Sequence, residues 1–539
     1  MALHQNGMLK VAASVLAMAA LAACGDDTTG TGGAGGGAGG ETAASNSSSG
    51  AGPGPSSTSV SASNGTGGDP GSGGNPGTGG ETGTGGDPGS GGAGGASLGT
   101  IYEVASSLPD YSSLVAAVDK AGLAGALQDE DATLTVFAPD NDAFAALLLE
   151  VGAASLDDVT AEQLVPILLY HVLGSVVDSA GATAAAEAGD KVTGLGGGIQ
   201  FGFEGADIEL DNRAIIEAAD VPASNGIIHG ISGVILPSIV DVATSNADFS
   251  SLVTALSVAD SDASDPELIA ALDDDGGTFT VFAPTNDAFD GLVNALSTGN
   301  TGIAALGDFA PYQLIPVLKY HVVAGAAVAA ADVVAGPITT LGGTVQATLA
   351  GGGVQIDGVS VVVANLITSN GIVHVIDDVL VPSIVDVASN APELSSLLAA
   401  VLAADGAAGT SPKVSVALDA SAGVGAFTIF APSNAAFTTL GNGAPAGQAL
   451  TNVLLYHVVN GAAPIYAGDA LELATPTALD TLLGSTAPFE IVVSASGSPP
   501  DTVNIDDAGS AANTTVIGAN YFTSNGVLHI IDKVLLPGG

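Results

Sequence analysis

The feature that most constrains this chain is a set of four sequence blocks that recur three times in the same order. One block reads TVFAPDNDAF from Thr135, TVFAPTNDAF from Thr280 and TIFAPSNAAF from Thr428. Its copies lie about 150 residues apart, far beyond the roughly 20–50 residues of solenoid repeats that share one core. Each unit is therefore long enough to enclose a core of its own. The spacing predicts three tandem domains, at residues 98–237, 238–382 and 383–539.

The other blocks predict the elements inside each unit. Every unit opens with an apolar segment at helical spacing, such as IVDVATSNADFSSLVTAL from Ile239. A Tyr-His block follows the first strand and reads ILLYHVL from Ile167, VLKYHVV from Val317 and VLLYHVV from Val453. The last block reads SNGIIHGISGVILP from Ser224, SNGIVHVIDDVLVP from Ser369 and SNGVLHIIDKVLLP from Ser524. We expect short helices, antiparallel strands and a hairpin at each Asn-Gly turn, which is an α+β fold.

These blocks resemble the two conserved boxes and the Tyr-His motif of the fasciclin domain, over essentially all of residues 98–539. The resemblance implies that each domain is a wedge-shaped β-sandwich of about seven strands flanked by short helices. It also implies a class of function, because the family includes secreted and cell-surface adhesion proteins as well as bacterial lipoproteins.

The amino terminus has the features of an export signal. Lys10 precedes an apolar run from Val11 to Ala20, which is shorter than the roughly 18 residues needed to span a bilayer. The string Leu-Ala-Ala-Cys that ends at Cys24 resembles a lipobox, which implies cleavage before Cys24 and acylation of its sulfur. A plain secretory signal that contains a cysteine is the alternative. We predict a signal peptide at residues 1–23 and an exported protein, lipid-anchored to the bacterial cell envelope at the outer membrane or cell surface.

Residues 24–97 consist mainly of Gly, Ser, Thr, Ala and Pro and contain almost no large apolar side chain. Such a segment cannot offset the entropy lost on ordering, so we predict a disordered tether. Its expected end-to-end distance is roughly 45–50 Å.

The charge balance excludes several partners. The chain has 55 Asp and Glu against 7 Lys and Arg, for a formal net charge of −48. Nucleic acids and anionic membrane surfaces are bound chiefly through Lys and Arg, so neither is an expected partner, and membrane contact is expected only through the lipid anchor. The single cysteine excludes an intramolecular disulfide. The acidity leaves weak calcium binding open as an alternative.

The histidines are the candidates for metal or acid-base chemistry. Six of the seven lie in the repeats: His171, His321 and His457 after Tyr, and His229, His374 and His529 after the Asn-Gly turn. No third ligand recurs at a fixed offset, whereas zinc sites need three or four. There is also no Gly-x-Ser-x-Gly nucleophile motif. We interpret each histidine as a buried side chain bonded to the backbone, and we predict no metal site, no cofactor, no catalytic residues and no enzymatic activity.

The resemblance also implies candidate adhesion residues. In adhesive animal relatives, an Asp-Ile pair before the Asn-Gly turn and the Tyr-His segment are implicated in integrin recognition. Here Asp220-Val221 stands at the Asp-Ile position of the first unit, while the other two units have Asn365-Leu366 and Asn520-Tyr521. The Tyr-His pairs are Tyr170-His171, Tyr320-His321 and Tyr456-His457. Burial of these pairs would explain their presence equally well.

Two structural expectations concern single residue types. Phe137, Phe282 and Phe430 of the first box are expected in the core, and the Asn and Gly of each turn are expected to adopt the positive φ of tight hairpins. The short connections, such as Leu236-Pro237-Ser238, predict a semi-rigid array of domains.

The preferred function is a surface-anchored adhesion or binding protein whose partners are an extracellular-matrix protein, a cell-surface protein or a polysaccharide. A structural envelope protein that binds divalent cations through its acidic surface is the alternative. A secreted enzyme with a pocket in one domain is a third, for which no repeat offers distinctive polar residues.

Overall fold

The computed structural model describes residues 98–262, 268–274, 276–297, 301–407, 409, 412–418, 426–441, 445–461, 463–471, 477–484, 489–494, 502–506 and 514–537. The predicted signal peptide, Cys24 and the predicted tether lie outside these residues.

Helices precede and follow the first strand in each of three successive domains. In the first domain they are α1 (Ile101–Ser107), α2 (Ser112–Ala121), α3 (Ala124–Leu127), α4 (Asn141–Glu150), α5 (Ala161–Tyr170) and α6 (Ser179–Ala188). In the second they are α7 (Ile239–Ser245), α8 (Ser250–Ala259), α9 (Leu268–Leu272), α10 (Asn286–Ser297) and α11 (Pro311–Tyr320). In the third they are α12 (Ile384–Asn390), α13 (Ser395–Gly406), α14 (Val414–Ala417), α15 (Asn434–Leu440), α16 (Gln448–Tyr456) and α17 (Ala467–Leu471). Short 3-10 helices lie at Pro109–Tyr111, Leu156–Asp158, Ala247–Phe249, Leu306–Asp308, Ala330–Asp332 and Pro392–Leu394.

The described residues of each domain also form seven strands. The first has β1 (Leu134–Pro139), β2 (Val172–Leu173), β3 (Lys191–Thr193), β4 (Gly198–Glu204), β5 (Asp207–Leu210), β6 (Ala214–Ala223) and β7 (Gly226–Ile231). The second has β8 (Phe279–Pro284), β9 (Val322–Ala324), β10 (Gly336–Thr340), β11 (Gly343–Ala350), β12 (Gly353–Ile356), β13 (Val359–Thr368) and β14 (Gly371–Ile376). The third has β15 (Ala426–Pro432), β16 (Val458–Gly461), β17 (Thr477–Leu479), β18 (Phe489–Ser494), β19 (Thr502–Asp506), β20 (Thr514–Thr523) and β21 (Gly526–Ile531).

The strand order is the same in all three domains and reads β2-β1-β7-β6-β5-β4-β3 in the first. The first and last boxes pair in parallel, with Leu134 opposite Gly226 and Pro139 opposite Ile231. The other neighbouring strands of this domain pair antiparallel. The sequence predicts antiparallel strands, and this pair departs from that prediction because the intervening helices and hairpins return the chain in its original direction.

Two hydrophobic clusters in each domain explain why the sheet folds over. In the first domain, one cluster joins Phe137 of β1 and Ile231 of β7 to Phe201 of β4 and Leu210 of β5, so the two halves of the sheet face each other. The other cluster packs the helices against the opposite side of β1 and β7. The predicted α+β fold, a β-sandwich flanked by short helices, is confirmed. The three first-box phenylalanines are buried as expected: Phe137, Phe282 and Phe430.

Helix starts follow from local side chains. Thr285 and Ser433 accept hydrogen bonds from the amides of Ala288 and Ala436, at 3.3 and 3.2 Å, which caps α10 and α15. The first helix of each domain begins with a reciprocal capping box, formed by Thr100 and Glu103, by Ser238 and Asp241, and by Ser383 and Asp386.

Among the described residues, no single helix has the length and apolar composition to cross a membrane. One helix pair, Ile384–Asn390 with Pro392–Gly406, meets those criteria jointly but is bent by 94°.

Candidate functional site

The Tyr-His motif ends the helix that precedes the second strand of each domain, α5, α11 and α16. All six side chains are buried, with at most 4% of any of them exposed. The hydroxyl of Tyr170 donates to the carbonyl of Gly198 at 3.0 Å, and that of Tyr320 donates to the carbonyl of Thr344 at 3.0 Å. Burial, and after it the carboxylate of Asp357, raises the pKa of Tyr320. The motif therefore lies in the interior, between the helix end and the folded-over strands.

Each histidine of the motif bridges two backbone groups. Nδ1 of His171 lies 2.7 Å from the carbonyl of Ile167, one helical turn earlier, and Nε2 accepts from the amide of Ile235 at 3.2 Å. Because that amide can only donate, the proton resides on Nδ1 and the ring is neutral. The pairs of backbone partners for His321 and His457 are equivalent. Burial lowers the pKa of His171 and of His321 to about 4, so neither ring is a proton donor or acceptor near pH 7.

The histidine after the Asn-Gly turn has a second, different pair of backbone partners. In the first domain, Nδ1 of His229 accepts from the amide of Asp220 at 3.3 Å, while Nε2 donates to the carbonyl of Val177 at 2.8 Å. The ring also stacks on Phe137, with centroids 5.6 Å apart. The other two domains repeat both hydrogen bonds and the stacking. All six repeat histidines thus bond to the backbone, in agreement with the interpretation of the sequence.

The position aligned with the adhesive Asp-Ile pair is a bulge in the penultimate strand. Asp220, Asn365 and Asn520 have φ of 59°, 59° and 58°, in the left-handed region that Asp and Asn tolerate better than other side chains. The register of β6 against β7 shifts between Ile216 and Ala218 and again between Ala218 and Val221, where Asp220 lies. Each Oδ1 accepts from a backbone amide in the segment that follows the second strand of the same domain. These amides are those of Ser179, Ala330 and Ala467, at 2.8, 2.8 and 2.9 Å.

This geometry explains why the residue alternates between Asp and Asn. Both side chains tolerate the left-handed backbone and supply the same oxygen acceptor, so the fold does not require a charge at this position. In the first domain the carboxylate of Asp220 also accepts from the hydroxyl of Ser179. The hydrogen bonds from Ser179 lower the pKa of Asp220.

The exposure of the bulge differs among the three domains: Asp220 is exposed, Asn365 is half-buried and Asn520 is buried. Asp220 and Pro222 are exposed and Val221 is half-buried. In the second domain, Nε2 of Gln163, on α5 of the first domain, donates to the carbonyl of Ala364 at 3.0 Å. In the third, the side chain of Gln313 on α11 donates to the carbonyls of Ala519 and Asn520, at 3.2 and 3.0 Å. A helix of the preceding domain therefore covers the second and third bulges.

The Asn-Gly turns differ from the sequence prediction in one respect. Gly226, Gly371 and Gly526 have positive φ, but none of the adjoining asparagines does. Each asparagine is instead placed to bond the backbone elsewhere: Oδ1 of Asn225 accepts from the amide of Ile101 at 2.8 Å, and Nδ2 donates to the carbonyl of Leu127 at 3.0 Å. The expectation of a positive φ for Asn was wrong. The asparagine is instead needed for its side-chain amide, which ties the last hairpin to the first helix.

Each domain has an apolar cavity between its first helices and the sheet, with volumes of about 30, 50 and 60 Å³ in the first, second and third domains. Its lining is aliphatic except for a few residues, among them the Tyr-His histidine: His171, His321 or His457. The backbone already holds both ring nitrogens of that histidine.

The described residues include no cluster of three or more His, Cys, Asp or Glu side chains placed to hold a metal ion. On the first domain, the exposed residues at the strand bulge include Asp220, which carries a carboxylate, and the preceding Ala219. Sequence reasoning missed the buried asparagines and the covering glutamines. The recurrence of Asn225, Asn370 and Asn525 at one position was the available signal for the former.

Comparison with known proteins places these features in a family. The model of the Fasciclin domain matches residues 109–237, 247–382 and 405–537. The protein sll1483 of Synechocystis sp. is 41% identical over 138 residues, which are 26% of this chain and 73% of that protein. Transforming growth factor-beta-induced protein ig-h3 of Sus scrofa is 29% identical over 342 residues, or 61% of this chain, so this chain spans less than half (44%) of that relative. A solved domain pair from the insect cell adhesion molecule Fasciclin I is 18% identical and covers 50% of this chain and 96% of its own, with a TM-score of 0.25.

Proposed function

Because the chain belongs to the fasciclin-domain family, we propose that it is a surface-anchored adhesion protein. It would present its domains to an extracellular-matrix protein, a polysaccharide or the surface of another cell. The observation that carries the proposal is the threefold match of one domain within one chain. Weak contacts repeated on one chain gain avidity, because every contact after the first is intramolecular. Adhesion is the function that the resemblance to this family implies.

We place the contact for the partner at Asp220 and Val221 of the first domain. Their counterparts are covered by a preceding domain, whereas Asp220 is exposed and carries a negative charge. The buried pairs Tyr170-His171, Tyr320-His321 and Tyr456-His457 would act indirectly, by fixing the helix ends and strands next to the bulge.

Asp220→Asn tests this placement in the full-length chain. Asn occupies the same left-handed position in the other two domains, so the substitution keeps the fold and removes only the charge. The matched control is Asp207→Asn, which removes the same charge from an exposed position at the start of β5. Binding to intact cells, matrix preparations and purified polysaccharides is measured for wild type and both variants.

We expect the wild-type chain to bind at least one of these surfaces, and Asp220→Asn to bind it more weakly than Asp207→Asn. If wild type binds none of them, adhesion is the wrong function. If wild type binds and both variants bind as strongly as wild type, the adhesion function is supported and the contact lies elsewhere on the molecule.

The anchor is the second part of the proposal and rests on the amino-terminal sequence. Cys24 follows the lipobox-like string and is the one cysteine of the chain. Acylation there would hold the protein at the outer membrane or cell surface, with the domains beyond a tether at residues 24–97. Mass spectrometry of the mature protein should find acyl groups on Cys24, and Cys24→Ser should release the protein from the membrane fraction. A free thiol at Cys24 in mature protein would contradict the anchor.

A structural role based on divalent cations is the second candidate, and the net charge of −48 is the observation that favours it. Such binding would be diffuse, since the described residues hold no clustered ligand set. Calcium titration calorimetry separates the two candidates. Many weak sites at physiological salt would favour the envelope role, whereas the absence of binding heat would remove it.

A further inference from the structure

Two inter-domain contacts recur at both junctions of the array. In the first, the Gln seven residues before the Tyr-His tyrosine, Gln163 or Gln313, donates to the bulge of the following domain. In the second, the capping-box aspartate of the following domain, Asp241 or Asp386, accepts from a backbone amide at the start of a strand in the preceding domain, that of Gly198 at 3.1 Å or of Thr344 at 3.3 Å. The same surfaces therefore meet in the same way twice.

Glycines make the second contact possible. A Cβ on Gly197 would lie 2.3 Å from the carboxylate of Asp241, and a Cβ on Gly343 would lie 2.4 Å from that of Asp386. A Cβ on the preceding glycine, Gly196 or Gly342, would lie 2.3 or 2.4 Å from the amide nitrogen of Tyr170 or Tyr320 in the same domain. The second glycine of the pair therefore leaves room for the next domain, and the first leaves room for the Tyr-His helix.

An apolar residue two positions after the bulge completes the junction. Ile367 of the second domain packs against the helical core of the first. Phe522 of the third domain is part of the core of the second, where its ring meets that of Phe309 edge-on at 5.6 Å. The first domain has the exposed Pro222 at this position.

In its described residues, the third domain differs from the first two at two of the positions that receive a neighbour. Counting back from Tyr456, the glutamine position is the exposed Ala449, and the position of Phe309 is Pro445. The amide of Leu482 donates to the carbonyl of Val458 as Leu341 does to Val322, which aligns Leu483 with the first glycine of the Gly-Gly pair and Gly484, with φ of +103°, with the second. The glutamine position and the position of Phe309 are therefore altered, whereas the glycine next to the aspartate contact is retained.

We propose that the face made by the Tyr-His helix and the Gly-Gly turn is a docking surface for a following fasciclin domain. Its specificity residues are Gln163 and Gln313, whose side chains donate hydrogen bonds to the backbone carbonyls of the bulge. The first two domains carry this surface, whereas the described residues of the third lack its glutamine, so copies of the chain do not join head to tail. The proposal is independent of adhesion.

Hydrogen exchange of the full-length chain tests the specificity residues. In Gln163→Ala, which removes a half-buried side chain, amides of Val359–Thr368 should exchange about fivefold faster or more, because the bulge loses its partner. Gln313→Ala should do the same at Thr514–Thr523. The control is Gln346→Ala, at an exposed side chain on β11 of the second domain, a strand that does not pair with β13; it should leave both segments unchanged. Unchanged exchange in both test variants, or equal acceleration in the control, would overturn the docking role.

Sedimentation velocity of the full-length chain carrying Cys24→Ser tests the third domain. A head-to-tail contact between copies would generate open arrays. A mass that reaches a plateau at one or two chains as concentration rises supports the loss of the docking surface. A mass that climbs without a plateau would overturn it.

Discussion

Oδ1 of Asn370 accepts a hydrogen bond at 3.0 Å from the amide of Ile239, a residue 131 positions earlier in the chain. Its Nδ2 donates to the carbonyl of Leu272 at 2.6 Å. One nearly buried side chain thus ties the last hairpin of the second domain to its first helix and to the end of α9.

Asn370→Ala is expected to lower the free energy of unfolding of the second domain by about 1–3 kcal/mol, because it leaves buried backbone groups without partners. Chemical denaturation monitored by hydrogen exchange in residues 238–382 measures the loss. The control Asn294→Ala changes an exposed side chain on α10 and should stay within about 0.5 kcal/mol of wild type. Equal stability of the two variants would show that the amide contributes nothing.

Gly371→Ala is expected to be more damaging than its small size suggests. A Cβ at this position would lie 2.1 Å from the carbonyl oxygen of Phe279, and φ is +155°. The loss should exceed the roughly 1–3 kcal/mol of backbone strain alone, because the parallel pair β8–β14 has to separate. Gly291 lies inside α10, where an added Cβ would have no atom within 4 Å other than those of its chain neighbours and of its own helix backbone. Gly291→Ala should therefore stabilise the folded chain by about 0.5–1 kcal/mol. Thermal unfolding of both variants provides the comparison, and similar melting temperatures would refute it.

Phe282→Ala should cost about 3–5 kcal/mol by leaving a cavity in the core between the sheet halves. Phe282 is buried and stacks on His374, with ring centroids 5.9 Å apart. Phe203→Ala, at a side chain that is 44% exposed, should cost less than about 1 kcal/mol. Calorimetry of the full-length chain distinguishes them. A melting temperature of Phe282→Ala equal to that of wild type would be incompatible with the packing described.

The buried histidines predict a loss of stability in acid. The pKa of His171, His321 and His529 is lowered to about 4, chiefly by burial, against about 6.5 in an unfolded chain. A depressed histidine pKa favours the neutral, folded form, so this contribution is complete above about pH 6.5 and is lost as the pH falls towards 4.

Nuclear magnetic resonance of the imidazole protons measures these values directly. In the folded protein the three rings should stay neutral down to about pH 5, whereas in urea they should titrate near 6.5. Titration of all three near 6.5 in the folded chain would contradict their burial.

Much of the local structure was predictable from the sequence. The apolar spacing in the opening blocks predicted α7 and α8, and the Asn-Gly turns predicted the hairpins that end in β7, β14 and β21. Residues such as Phe137 and His229 were expected inside, since each lies within an apolar segment. These signals are local: they depend on neighbours a few positions away, which the sequence displays.

The role of the candidate adhesion residues was not predictable in the same way. From the sequence, the position of Asp220, Asn365 and Asn520 was interpreted as one that keeps its negative charge in the first domain and loses it in the other two. The structure shows one left-handed bulge with one amide acceptor in all three domains. The three positions are equivalent because they share a backbone conformation and a hydrogen bond to a residue some 40 positions away. Neither property can be predicted from the pattern of charges along the sequence.

By itself, the sequence determined that the chain repeats one fasciclin-like unit three times, because ordered blocks about 150 residues apart require separate cores. Only the tertiary structure decided that the first and last boxes pair in parallel, that Asn225 holds the first helix, and that Gln163 and Gln313 join successive domains. The physical reason is that these are hydrogen bonds between residues roughly 90–210 positions apart. Their geometry arises only when burial of apolar surface has folded each domain and brought distant backbone groups within reach.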